Sequence, residues 1–176
     1  MIISVEKAKE LIDFKDWSDE RISRKLKAIE QIIRKYTNNN FQVREMRKTA
    51  DIVGGLFVVE ALNPFTVDDT IQVSESGLNS GLCTVIGTTD ETFTVAEDVR
   101  DERDILVTLV KYPDDVVDCA LNLLEWEINN REKVGIQSET LSRHSVTYFA
   151  QDANNQVMGY PVSLLGCLKS YRKARC

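Results

Sequence analysis

The sequence predicts an α+β fold: a helical bundle of about four helices, an inserted small antiparallel β-barrel or sandwich, and an extended C-terminal arm. Three observations predict it. Apolar residues recur at helical spacing on both sides of the middle of the 176-residue chain. Between those stretches, residues 41–112 break into five to six short β-branched and aromatic runs separated by turn residues. After Gly135 the periodicity changes again, to an alternating and largely polar strip. The expected organisation is a helical core over 1–40 and 113–134, an inserted β-module over 41–112, an arm over 135–161 and a last helix over 162–176.

The first helix is expected over 4–13, "SVEKAKELID", with Ser4 as cap and Val5, Ala8, Leu11 and Ile12 on one side. Ser18 opens the second, with Asp19 and Glu20 near the positive end of the helix dipole. Arg21 stands where a capping box needs glutamate or glutamine, so that cap is partial. Ile22, Leu26, Ile29, Ile33 and Tyr36 then form one apolar stripe, and Arg24, Lys25, Lys27 and Arg34 mark a basic face. The asparagines of "TNNN" at 37–40 stop the helix, because asparagine tolerates the left-handed conformation.

In the β-region, "FQVREMR", "GGLFVVEAL", "DTIQVSE", "GLCTVIG", "TFTVAE" and "DILVTLVKY" read as strands. "SESGLNSG" at 74–81 is a turn, and "AEDVRDERD" at 96–104 reads as a solvated acidic loop, since it lacks the EF-hand spacing. Pro113, Asp114 and Asp115 start the third long helix. Its inward stripe is expected at Val117, Ala120, Leu121, Leu124 and Ile128, widened by Val116, Cys119, Leu123 and Trp126. Pro161 begins the last helix, with Leu164, Leu165, Leu168 and Tyr171 near one face and a basic end.

Composition bounds the function. With 43% hydrophobic and 28% charged residues the chain has an ordinary globular balance, and no apolar run approaches the roughly 18 residues that span a bilayer. The opening "MIISVEKAKEL" meets charge at Glu6 and Lys7, so a protein made in a reducing cytoplasm is expected. The four cysteines, Cys83, Cys119, Cys167 and Cys176, are far apart and are expected to be free thiols. Charge is unevenly spread: residues 1–48 hold 12 Lys/Arg against 8 Asp/Glu, residues 49–118 hold 3 against 15, and residues 119–176 hold 7 against 5. Unlike surfaces of this kind suit head-to-tail contacts between copies, and the acidic middle lacks the concentrated basic face of a DNA-binding module.

No reaction chemistry is legible. The only histidine, His144, lies in "GIQSETLSRHSVTYF" at 135–149, flanked by Ser142 and Ser145, with no G-x-S-x-G turn nearby. There is no Walker A sequence, no G-x-G-x-x-G and no CxxC pair, so no cofactor, metal or catalytic residue is expected. The strip instead reads as an extended segment with few apolar groups, able to add to a neighbour's sheet edge.

Three stretches resemble the head–tail connector (adaptor, or head-completion) proteins of tailed bacteriophages, of the Gram-positive siphophage type. "SVEKAKELIDF…DERISRKLKAIEQIIRKYTNNNF" is similar to the family's short helix, acidic break and long helix. "FTVDDTIQVSESGLNSGLCTVIG" resembles the β-module inserted in some members. "GIQSETLSRHSVTYF…MGYPVSLLGCLKSYRKAR" is similar to the serine- and tyrosine-containing segment and terminal basic helix.

The resemblance implies a structural virion protein, not an enzyme, that forms a ring, commonly twelve-fold, beneath the portal in the neck. A stopper or tail-completion protein would sit on the other side, and DNA would pass through the lumen without specific binding. It places portal docking at Leu165, Leu168, Tyr171, Arg172 and Lys173, and an inter-subunit arm at Leu141, Arg143, His144, Val146, Tyr148 and Phe149. Ring closure needs two unlike patches, and Arg24, Lys25 and Lys27 facing the acidic β-module are the expected pair. The alternative is a cytoplasmic β-module protein that binds a single protein partner without catalysis. A small-molecule enzyme is the third, and it requires a pocket of convergent polar groups.

Overall fold

Asp19–Thr37 (α2) forms a helix because its apolar residues fall on one stripe: Ile22, Leu26, Ile29 and Ile33 are all fully buried. The Ser18 side chain accepts the Arg21 backbone N–H at 3.4 Å, and Asn38 ends the helix in the left-handed conformation, its N–H returning to the Arg34 carbonyl. A computed structural model of the chain describes residues 1–130, 138–141, 144–147 and 156–174. It is a mixed α+β chain with about four helices and a closed six-stranded antiparallel barrel. Two compact units divide it: Met1–Ser4 with Asn40–Pro113, and Val5–Asn39 with Asp114–Cys176.

In the helical unit, Val5–Leu11 (α1) buries Ala8, with Val5 and Ile12 half-buried, while Leu11 of the expected apolar side is 65% exposed. Asp114–Asn130 (α3) buries Val116, Cys119, Ala120, Leu123, Leu124 and Glu127. That face is turned by one position from the expected stripe: Val117, Leu121 and Ile128 are only half-buried. The expected continuation of this helix over 131–134 lies outside the described residues.

The last element is a 3-10 helix, Val162–Tyr171, and not an α-helix. Three residues per turn align Leu165, Leu168 and Tyr171, and the two leucines are fully buried. Gln156–Val157 and Tyr160–Pro161 form a two-stranded ribbon ahead of it, turned by Met158 and Gly159, both at positive φ. Cys119 and Cys167, 48 residues apart, are joined as a disulfide with Cα atoms 6.6 Å apart, which corrects the expectation of free thiols for this pair. The cause is the return of the chain's last element along α3, which sequence separation conceals. Cys83 is buried in the barrel and forms no disulfide, and Cys176 lies outside the described residues.

The barrel consists of Gln42–Val53 (β1), Leu56–Val59 (β2), Thr70–Ser74 (β3), Gly81–Thr88 (β4), Thr92–Val95 (β5) and Glu102–Val110 (β6). The order around it is β1-β2-β5-β4-β3-β6, with β6 closing onto β1. Alternate residues fill the interior, among them Ile52, Phe57, Ile71, Val85, Phe93 and Ile105. Phe57 stacks on Phe93 at 4.6 Å, and Phe65 meets Phe93 edge-on at 5.2 Å. Register shifts in β1–β6 and β4–β5 bend the strands enough for closure.

The acidic segment 96–104 is not simply solvated, because several of its carboxylates accept backbone N–H groups. Glu97 accepts from Thr84 at 2.8 Å and Asp101 from Gly54 at 2.7 Å. Glu102 gathers the 74–81 turn, accepting from the Ser76 hydroxyl, from Gly77 N–H at 2.6 Å and from Asn79 Nδ2 at 2.7 Å. The Ser76 hydroxyl first, then the Gly77 N–H and Asn79 amide, hold the Glu102 carboxyl below its ordinary value of 4.5 against the opposing desolvation.

A carboxylate with a lowered folded pKa stabilises above its unfolded value, and that contribution disappears as pH falls through the folded value. The barrel is therefore expected to weaken below about pH 4.5, the ordinary glutamate value. Glu102→Gln is expected to be less stable at neutral pH and to show a flatter acid limb. Urea unfolding at several pH values checks this, and identical acid limbs would contradict it.

Candidate interaction surfaces

The helical unit has a polar contact that its apolar pattern hides. Glu127 projects from α3 into the interior and is 3% exposed. Its Oε1 accepts the Tyr160 hydroxyl at 2.8 Å, and its Oε2 faces Lys25 Nζ at 3.0 Å. Burying a carboxylate is costly unless both oxygens are partnered, and here partners arrive from α2 and from the 156–161 ribbon. Lys25 is thus committed within the unit and does not share the exposed basic face expected of it. Arg24 and Lys27 are exposed on α2.

The C-terminal element is fastened at several points. The Tyr171 hydroxyl donates to the Asp115 carboxylate at 2.7 and 2.8 Å, and the hydrogen bond to Asp115 raises the phenol's pKa above its ordinary 10.0. The Arg172 guanidinium lies 5.3 Å over the Tyr36 ring, Lys173 N–H donates to the Thr37 carbonyl at 2.7 Å, and Asn38 Nδ2 donates to the Ala174 carbonyl at 2.9 Å. Of the five residues expected to dock a partner, Leu165 and Leu168 face the unit's own interior and are unavailable while the helix keeps this seat. Tyr171 is half-buried, and Arg172 and Lys173 are exposed.

The histidine strip is not one continuous strand. Ser138–Leu141 (β7) and His144–Thr147 (β8) pair antiparallel, with Leu141 opposite His144 and Val146 opposite Glu139. Their backbone groups are therefore partly satisfied within the strip. Arg143, Tyr148 and Phe149 lie outside the described residues.

The barrel carries a face that sequence patterning did not single out. Residues 49, 51 and 53 of β1 and 56 and 58 of β2 alternate with the interior set. Val53 lies opposite Leu56, and Asp51 opposite Val58, which continues to Thr92 on β5. Val53, Leu56 and Val58 are 55%, 44% and 40% exposed. Beside Leu56, an open depression of about 200 Å³ is lined by Gly87, Thr88, Thr89, Thr92, Phe93 and Thr94. A Cβ at residue 87 would stand 2.8 Å from Thr94 Oγ1, so a side chain there would force a shift. Beside Val58, a second depression of about 120 Å³ is lined by Asp51, Glu60 and Asp104 among others.

Charge follows the units more gently than it follows the sequence. Residues 1–4 and 40–113 hold 6 Lys/Arg against 13 Asp/Glu, a net of −7, and the remainder holds 16 against 15, a net of +1. Three acids of the acidic middle, Asp114, Asp115 and Asp118, belong to α3, and three cations, Arg44, Arg47 and Lys48, belong to β1.

Among the described residues, no group of three or more His, Cys, Asp or Glu side chains could hold a metal ion, and no helix is long and apolar enough to cross a membrane. Neither depression is lined by a histidine or cysteine. What these surfaces offer is apolar area, shape and charge, the ingredients of protein–protein contact. Comparison with known proteins gives no matching family model and no matching curated protein.

Replacing Lys25 by Met leaves one Glu127 oxygen without its cation, and is expected to cost about 1–3 kcal/mol of stability. Tyr160→Phe, which removes the hydroxyl donated to Oε1, is expected to cost a similar amount. Chemical denaturation followed by the helical circular-dichroism signal measures both, and unchanged midpoints would contradict the role given to this contact.

Proposed function

We propose that the chain is a structural protein of the tailed-phage virion, a head–tail connector that forms a ring beneath the portal in the neck. The observation that carries this reading is the possession of two compact units with unlike exposed surfaces, a barrel of net −7 and a helical unit with a basic α2 face. A head-to-tail ring requires two different patches on every subunit, and this chain has candidates for both. The order of the three resembling stretches supports the same reading. An acidic module also suits a conduit, since tight phosphate contacts would hold DNA in the lumen.

In this reading the C-terminal helix docks to the portal through its exposed side, Lys169, Arg172 and Lys173, with Tyr171 at the margin. Leu165 and Leu168 support that surface from the core. The strip at Leu141, Arg143, His144, Val146, Tyr148 and Phe149 is the arm that reaches an adjacent subunit or the next ring, where a stopper or tail-completion protein would sit. The protein is made in the host bacterial cytoplasm, and catalysis, cofactor and metal have no part in its role. The apolar outer face of the barrel favours a second reading, a module that binds a single protein partner.

Native mass spectrometry of the chain mixed with the portal ring of its own genome separates the two. The connector reading predicts a defined multiple of 20.0 kDa added to the portal. The addition is expected to disappear when Lys169, Arg172 and Lys173 are all changed to Glu, with the thermal melt preserved. Point changes are preferable to deleting residues 162–176, which would strip Leu165 and Leu168 from the core. No complex at near-physiological salt would overturn this reading in favour of the single-partner module.

A further inference from the structure

The outward rows of the β1–β2–β5 wall run against the usual pattern of a small barrel, where outward positions are polar. One row reads Asp51, Val58, Thr92, and the next begins Val53, Leu56. Three aliphatic side chains therefore stand together in the open, flanked on the Leu56 side by the depression at Gly87 and on the Val58 side by the depression that holds Asp51, Glu60 and Asp104. A contiguous apolar ridge with an acidic margin is the form of an interface, not of a solvated wall.

The chain itself supplies a surface of complementary charge. From Arg21 to Thr37, α2 carries six Lys/Arg, and its single acid, Glu30, is 3% exposed. Arg24, Lys27, Gln31 and Lys35 follow one another at steps of three, four and four along the exposed side. Arg24, Lys27 and Lys35 are exposed there, while Arg21 lies over the Trp17 ring at 3.9 Å and Lys25 turns toward Glu127. Leu11, exposed on the same unit, adds an apolar group.

We infer that the outward face of β1, β2 and β5 is a docking surface for a second copy of this chain, with its Asp51–Glu60–Asp104 margin receiving the partner copy's α2 stripe. The assignment rests on the reading of the chain as a self-assembling protein and specifies which barrel face makes the contact. The contact is heterologous, since the two surfaces differ, and its repetition from copy to copy builds a ring when the rotation closes. Apolar burial at Val53, Leu56 and Val58 provides area, and the charges set register and partner choice.

Sedimentation equilibrium at low salt tests this with two variants that leave the cores untouched: Glu60→Lys with Asp104→Lys, and Arg24→Glu with Lys27→Glu. The unaltered chain is expected to self-associate reversibly, and each double variant alone to associate about tenfold or more weakly. Mixed together, the two variants are expected to form a one-to-one pair, because the basic barrel of one then meets the acidic helix of the other. Val58→Thr is expected to weaken association at every salt concentration. A chain that stays monomeric up to millimolar concentration, or variants that associate like the unaltered chain, would overturn the assignment. Self-association with no portal binding would sink the neck reading and leave this contact standing; portal binding with no dependence on these residues would do the reverse.

Discussion

The pairing of β1 with β6 is the constraint on which the rest of the architecture depends. Gln42 lies opposite Val110, and Lys111 N–H donates to the Phe41 carbonyl at 3.0 Å, so the chain enters and leaves the barrel through neighbouring residues. Phe41 and Tyr112 pack ring to ring at 4.9 Å beside that seam. The ends of the insert are therefore adjacent: α2 stops at Thr37, and α3 resumes at Asp114. The same seam removes the last free edge of the sheet, and with it the hazard of uncontrolled strand addition.

Closure also explains the use of charge in this unit. A small barrel has tight turns whose backbone N–H groups need acceptors, and short acidic side chains supply them. Asp51 accepts from Asp104 N–H at 2.9 Å, Asp69 from Thr66 N–H at 2.7 Å, and Glu102 organises a whole turn. Part of the acidic excess is thus structural, and an acidic stretch of sequence is a poor guide to an acidic surface. The helical unit places carboxylates inside, Glu30 on α2 and Glu127 on α3, and Glu127 ties α2 and the 156–161 ribbon to α3.

Much of this was legible in the sequence. The stripe Ile22, Leu26, Ile29 and Ile33 is buried as its spacing predicts, and Ser18 and Asn38 bound the helix as their side chains and backbone preferences predict. The β-branched runs became strands because alternation carries the information that a half-buried strand needs. What stayed hidden depends on contacts far apart in the chain. The buried face of α3 is turned one position from the apolar stripe because it includes Glu127, a carboxylate in line with Ala120, Leu123 and Leu124 that apolar spacing does not mark. The 3-10 form of the final helix is not distinguished by spacing, because Leu165, Leu168 and Tyr171, in uniform steps of three, suit the 3-10 turn and also fall near one face of an α-helix. The apolar wall of the barrel was illegible because "LFVV" alternates inward and outward apolar residues alike, and no pattern within one strand tells which side is covered.

The chain divides into two compact units, and the barrel's hydrophobic core is drawn from residues 50–109 alone. Expressing residues 40–113 alone tests that most directly. Heat and urea unfolding, followed by the β-sheet signal, should each give one cooperative transition, because the interior of Phe57, Phe93, Ile71 and Ile105 is drawn entirely from this segment. A fragment that shows no cooperative transition and no protected amides would contradict the account, since its outer wall would then belong to a surface that the barrel cannot form by itself.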